Sequence, residues 1–178
     1  MRYFAFGSNM LNTRLTARVG AVPPGVVGEI GGYQLRFHKR SGDGSGKCDA
    51  YHTNNPNDTI YGVVYHLSAE QKLMLDAFEG AGYQVVDQSV AIDGDNISAY
   101  MYVAELDYID SGLVPYHWYK QFVLTGAQES KLSGNYIRKI ANVPSTADPD
   151  LARHLRNVAV LAEIAPIVNG QDHLLSGP

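Results

Sequence analysis

Through the first hundred residues, apolar side chains alternate with polar ones in short runs punctuated by glycine, and in the last third they recur at helical spacing. Tyr3 to Phe6 reads as a short aromatic strand. Gly7-Ser8-Asn9 breaks it, and Met10 to Arg18, with Leu11 and Leu15 one turn apart, predicts a helix. After Pro23-Pro24-Gly25 the pattern predicts strands over Val26 to Ile30 and Tyr33 to His38, joined by a Gly31-Gly32 turn. Ser41 to Gly46 is rich in glycine and reads as a mobile loop. Further strands follow over Ala50 to Thr53 and, after the turn Asn54 to Asp58, over the apolar run Thr59 to Leu67, placed at the centre of a sheet.

Ser68 with Gln71 three residues on forms a capping-box pattern that opens a helix. Leu73, Met74, Ala77 and Phe78 continue it at i, i+4 spacing, and Gly80 stops it. Tyr83 to Ile92 and Ile97 to Ala104 flank Asp93-Gly94-Asp95 as a hairpin. Pro115 to Gln128, Asn135 to Val143 and Asp148 to Ala165 predict three closing helices, with Pro149 suited to the first turn of the last. Strands followed by helices make the fold class α+β, and many short strands with frequent turns point to a strongly curved or closed sheet.

The chain of 178 residues is 45% hydrophobic, enough for one domain with a real core, and residues 1–178 are read as a single domain. Fourteen basic residues against eighteen acidic ones, a net charge of -4, argue against a nucleic-acid footprint. No apolar run approaches a bilayer span, so no membrane partner is expected. The N-terminal segment lacks the pattern of a signal peptide and Cys48 is the lone cysteine, so a reducing cytoplasm is the expected compartment.

Two segments carry candidate chemistry. Phe6-Gly7-Ser8-Asn9 is a small-residue loop between strand and helix, able to aim several backbone N–H groups at one carboxylate or carbonyl oxygen. It is neither a Walker loop nor a dinucleotide fingerprint, and a plain turn with Asn9 as helix cap is the alternative. The second segment is Leu75-Asp76-Ala77-Phe78-Glu79-Gly80. Glu79 follows Leu75 by one turn and adjoins the Met74–Phe78 stripe, which predicts a partly buried carboxylate suited to proton transfer. A solvated last-turn glutamate beside a stop glycine is the alternative. Asp76 reads as structural.

Ser8 lacks a nucleophile elbow, which argues against a serine hydrolase. His38, His52, His66, His117, His154 and His173 show no ligand spacing, so no metal is expected. Cys48 is placed in a loop near Lys47, an ammonium able to lower a thiol pKa, although a lone loop cysteine is more often incidental. In the run Tyr116-His117-Trp118-Tyr119, core packing is expected for Trp118 and a place at a pocket edge is open to Tyr119.

Tyr3-Phe4-Ala5-Phe6-Gly7-Ser8-Asn9-Met10, Gly62-Val63-Val64-Tyr65, Leu75-Asp76-x-x-Glu79-Gly80 with Tyr83, and Pro115-x-x-x-Tyr119 followed by Gly126-Ala127 together resemble the γ-glutamylcyclotransferase-like (AIG2-like) family. The resemblance runs from residue 3 to about 140; beyond Val143 no motif is recognised, and about 144–178 is an unassigned helix and tail. It implies a small mixed β-barrel flanked by helices. It also implies a cofactor-independent enzyme that releases 5-oxoproline from a small γ-glutamyl compound, with Glu79 as catalytic acid/base. Phe6, Gly7, Ser8, Asn9 and Tyr119 then line the substrate site, Phe6 standing where the family usually has Tyr. Two other readings remain: a non-catalytic binding module on the same fold, and an interaction domain presenting its tyrosines as one exposed patch.

Overall fold

In the computed structural model, which describes residues 1–169 with side chains to Glu163, five strands close into a barrel and a two-stranded sheet stands beside it. The barrel comprises β1 (Arg2–Ala5), β2 (Val26–Gly31), β5 (Thr59–His66), β6 (Tyr83–Ile92) and β7 (Asp95–Ala104), in the order β1-β5-β2-β6-β7. All neighbours are antiparallel except β1 and β7, which close the barrel through the parallel pair Tyr3–Tyr100. The two-residue loop Asp93-Gly94 joins β6 to β7 with φ of 50° and 91°, the backbone of a type I′ turn whose twist matches the strands it connects.

β3 (Tyr33–Arg40) and β4 (Gly46–His52) pair with each other outside the barrel. The Gly31-Gly32 turn therefore does not make a hairpin. Both edges of β2 are occupied by β5 and β6, so β3 has no edge to join and leaves the barrel for a partner that arrives later. Cys48 is a strand residue, not a loop residue, because β4 begins at Gly46. The preceding glycine-rich segment is bound on several sides: Asp43 accepts from the Ser45 N–H, the Ser45 hydroxyl and Lys47, and Tyr116 donates to the Asp43 carbonyl at 2.8 Å. Ser45 is buried as a result, which corrects the expectation of a mobile loop.

The helices are α1 (Asn12–Val19), α2 (Ala69–Glu79), α3 (His117–Glu129), α4 (Gly134–Ala141) and α5 (Leu151–Asn169), with short 3₁₀ turns at Ser8–Met10 and Leu106–Tyr108. Pro149 lies just ahead of α5 rather than in its first turn, and residues 170–178, which include His173 and the tail, lie outside the described residues. The capping box of α2 is complete, with Gln71 N–H on Ser68 Oγ and Ser68 N–H on Gln71 Oε1. Its expected apolar face is reversed. Leu75 is fully buried while Leu73, Met74 and Phe78 are 69%, 53% and 57% exposed. The core packs β-strand residues such as Phe4, Ile60, Val90 and Met101 with Leu11, Leu15, Phe122 and Val123 from α1, α3 and their flanks. Tyr3, Tyr65, Tyr100, Tyr102, Tyr116, Tyr119 and Tyr136 are buried and the other tyrosines are partly buried, so among the described residues the tyrosines do not form one exposed patch. Among the described residues no helix is long and apolar enough to cross a membrane.

Candidate active site

β1 ends in Phe6, and the chain turns at Gly7 into the 3₁₀ turn, closed by the Met10 N–H on the Gly7 carbonyl at 3.0 Å. Gly7 lies against β4: a Cβ there would meet Cys48 Cβ at 3.0 Å, so the close approach of the two backbones favours glycine. The leading N–H groups of such a turn have no acceptor inside it, which leaves the loop a donor surface. Ser8 and Asn9 are both buried. Asn9 does not cap the following helix; its side chain turns toward α2 instead.

Glu79 is the last residue of α2, and Gly80, with φ 65°, ends the helix by returning its N–H to the Asp76 carbonyl. The partial burial expected for Glu79 is present, its side chain being 15% exposed, but it arises from the Leu75 side of the helix and not from the exposed Met74–Phe78 stripe. One carboxylate oxygen is held twice. Oε1 accepts from Asn9 Nδ2 at 2.8 Å and from Arg18 Nη1 at 3.2 Å. The same Arg18 nitrogen donates to Asn9 Oδ1 at 2.9 Å, and Asn9 Nδ2 also donates to the Tyr3 hydroxyl at 3.0 Å. Oε2 has no hydrogen-bond partner among the described residues.

These groups share one cleft, about 310 Å³ of empty space open to solvent, lined by Tyr3, Phe6, Gly7, Ser8, Asn9 and Glu79 together with Cys48, Tyr83, Tyr102 and Tyr119. All six residues singled out in the sequence, Glu79, Phe6, Gly7, Ser8, Asn9 and Tyr119, are therefore neighbours in space. The Tyr119 hydroxyl accepts the Cys48 N–H at 3.2 Å and the Tyr83 hydroxyl donates to the Cys48 carbonyl at 2.7 Å, so two phenols fix the strand opposite the loop.

Burial raises Tyr3, Tyr83 and Tyr119 well above the ordinary phenol range, and the negative charge of Glu79 adds to the effect in each. Burial likewise pushes the Cys48 thiol up to about 12, against the smaller opposing effects of Tyr119 and Lys47. Lys47 therefore does not activate Cys48: the desolvation of a fully enclosed sulfur outweighs one nearby ammonium. Phenols and thiol stay protonated near neutral pH, and Glu79 is the one carboxylate lining the cleft among the described residues.

Asp76, on the same helix, is saturated. Lys72 Nζ meets both its oxygens at 2.8 Å and the Tyr102 hydroxyl donates at 2.6 Å. Burial works against its charge, but those bonds outweigh it and hold Asp76 below the usual carboxylate range. The sequence reading missed Arg18, Tyr3 and Tyr102. Arg18 stands in the last turn of α1, nine residues past Asn9, and nothing in local spacing reveals that α1 folds back toward the end of α2.

Comparison with known proteins bears on the family and the fold. A profile of the AIG2-like family matches residues 59–140. Human γ-glutamylcyclotransferase is 28% identical over 149 residues, an alignment covering 78% of this chain and 76% of the relative. The chain resembles the γ-glutamylcyclotransferase-like family in both comparisons. A solved γ-glutamyl cyclotransferase superposes with a TM-score of 0.74 at 24% identity, over 82% of this chain and 89% of the other, and shows the same fold. A crystal structure of a human protein titled as uncharacterized, loc79017, superposes with a TM-score of 0.72 at 26% identity, over 82% and 88%. The barrel flanked by helices is therefore the fold of these solved structures.

Proposed function

We propose that the chain is a γ-glutamylcyclotransferase, a single domain over residues 1–178 that converts a γ-glutamyl amino acid, peptide or amine to 5-oxoproline and the free amine. The observation that carries the reading is the half-occupied carboxylate of Glu79, with Oε1 clamped by Asn9 and Arg18 and Oε2 open, in the same cleft as the Gly7–Asn9 donor loop.

The chemistry follows from that arrangement. The α-ammonium of the substrate is not a nucleophile, so Glu79 Oε2 takes one of its protons. The freed amine attacks the γ-carbonyl carbon of its own chain, closing a five-membered ring and putting negative charge on the carbonyl oxygen. Backbone N–H groups of Gly7 to Asn9 hold that oxyanion or the substrate carboxylate. The C–N bond to the leaving group then breaks and the carbonyl re-forms as Glu79 returns its proton to the departing nitrogen, while the ring nitrogen, which still carries two hydrogens after the attack, gives one up to the departing amine, so that the products are the neutral lactam and an ammonium and Glu79 ends as it began. Holding the chain curled supplies much of the rate, since well-oriented intramolecular reactions reach effective molarities of roughly 10⁵ M or more. Phe6 gives this wall of the cleft an apolar ring, and Tyr119 braces Cys48 across from it. The reaction calls for no cofactor, metal or nucleic acid, and it suits a reducing cytoplasm in which the buried Cys48 stays a thiol.

The test is incubation of the purified protein with γ-glutamyl dipeptides, γ-glutamyl amines and glutathione, with 5-oxoproline read by mass spectrometry and Glu79→Gln as control. Product from wild type alone supports the reaction and its base. Absence of product with every substrate overturns the reading in favour of a binding module.

A further inference from the structure

Lys39 is a buried cation with no carboxylate partner among the described residues. β3 carries an extra residue at this point: Arg36 pairs with Asp49 and Lys39 with Lys47, three steps along one strand against two along the other. Such a bulge interrupts the alternation of faces, and Phe37, His38 and Lys39 are buried in succession. The ammonium reaches across to the link between α2 and β6. Nζ donates to the Ala81 carbonyl at 2.9 Å and lies 4.4 Å from the Tyr83 ring centroid and 5.5 Å from that of Tyr108. One carbonyl and two ring faces thus surround a charge that burial has taken out of water. Burial draws Lys39 below the ordinary lysine range, and the nearby negative charges, Glu79 first among them, pull it back.

The segment it grips is short and flanked by glycines. Gly80 and Gly82 have φ of 65° and 88°, and a Cβ on Gly82 would meet the Tyr108 ring at 2.4 Å, so Tyr108 walls one side of the link while Lys39 bonds its middle. Glycines make such a link easy to displace. Glu79 precedes it and Tyr83 follows it, and both line the cleft.

We infer that Lys39 is a positioning residue: by holding the Ala81 carbonyl it fixes the last residue of α2 and the first of β6, and so the placement of Glu79 and Tyr83 against the Gly7–Asn9 loop. It takes no proton and touches no substrate. The kinetic consequence rests on the cyclotransferase reading, whereas the tether itself is a property of the folded chain without substrate.

Two variants test it. Lys39→Met keeps the apolar stem and removes the ammonium; Lys39→Arg keeps a cation. In substrate-free hydrogen exchange, Lys39→Met is expected to exchange the Gly80 and Tyr83 amides at least tenfold faster than wild type, with the β1 and β5 amides unchanged. With the best γ-glutamyl substrate, kcat is expected to fall about tenfold with KM within about twofold, and Lys39→Arg to recover most of both effects. Unchanged exchange at Gly80 and Tyr83 overturns the tether. Faster exchange with an unchanged kcat overturns the positioning role. Should Lys39→Met fail to fold, Lys39→Gln reads the same amides and rates. A wild type that makes no 5-oxoproline removes the proposed function, and the exchange measurement still decides the tether.

Discussion

Two carboxylates, the buried Asp148 at the junction of α3 and α5 and the partly buried Glu79 in the cleft, are built from similar parts and finished differently. Asp148 has both oxygens filled: Oδ2 accepts from Trp118 Nε1 at 2.8 Å and Arg153 Nε at 2.7 Å, and Oδ1 from the Asp150 N–H at 2.9 Å and again from Arg153. The Arg153 bonds outweigh its burial and hold it far below the usual carboxylate range. Glu79 also meets an arginine and one further donor, but both fall on Oε1. A saturated carboxylate is committed to holding the fold, whereas one held by a single oxygen is fixed in place with the other free to exchange a proton. Asp76, filled by Lys72 and Tyr102 just one turn before Glu79, belongs with Asp148 in this respect.

The contrast can be broken first at Glu79. Glu79→Gln is expected to lower 5-oxoproline formation by about 10³-fold or more while the thermal midpoint stays within a few degrees, because the amide keeps the shape and loses the proposed base. Arg18→Met removes one of the two donors on Oε1 and one on Asn9, and turnover is expected to fall by roughly tenfold to a hundredfold through misplacement of Glu79. Asp148→Asn should show the opposite profile in thermal melts and turnover assays. Its midpoint is expected to drop by roughly 5 °C with turnover within about twofold of wild type. The folded value of Asp148 is depressed, so its contribution to stability is full above the unfolded aspartate value of about 3.9 and is lost as pH falls below it toward the folded value. The gap in midpoint between wild type and Asp148→Asn should therefore narrow below about pH 4 in melts taken across pH. Ser8→Ala is expected to have the smallest effect, under about threefold in kcat/KM, since the proposed role of the loop is carried by backbone N–H groups. A complete loss of activity there would move the role to the hydroxyl.

Local signals marked the candidate segments, and the family resemblance is what singled them out as a site. Gly80 after a capped helix places Glu79 at a helix end, and Gly7-Ser8-Asn9 after an aromatic strand reads as a donor loop. Tyr119 followed from its place in an aromatic helix and from family resemblance. Arg18 was hidden because its partners are Asn9, nine residues away, and Glu79, sixty-one residues away, and only the packing of α1 against α2 joins them. The stripe of α2 was misread for a related reason. Leu73, Met74 and Phe78 have the helical spacing of a buried face, yet Leu75 is the side chain that turns inward. Spacing defines a face without saying which way it points.

Within the chain, the alternation of residues, the turn glycines and the caps determined most elements and the α+β order, since those preferences act over a few neighbouring residues. Tertiary structure alone decided that β1 closes on β7 through Tyr3 and Tyr100, that β3 leaves β2 for β4, and that Cys48 is an enclosed thiol rather than an activated one. It also decided which oxygen of Glu79 is left open. Each of these depends on which surfaces meet and how much water they exclude, and such contacts join residues far apart along the chain, beyond the reach of any local pattern.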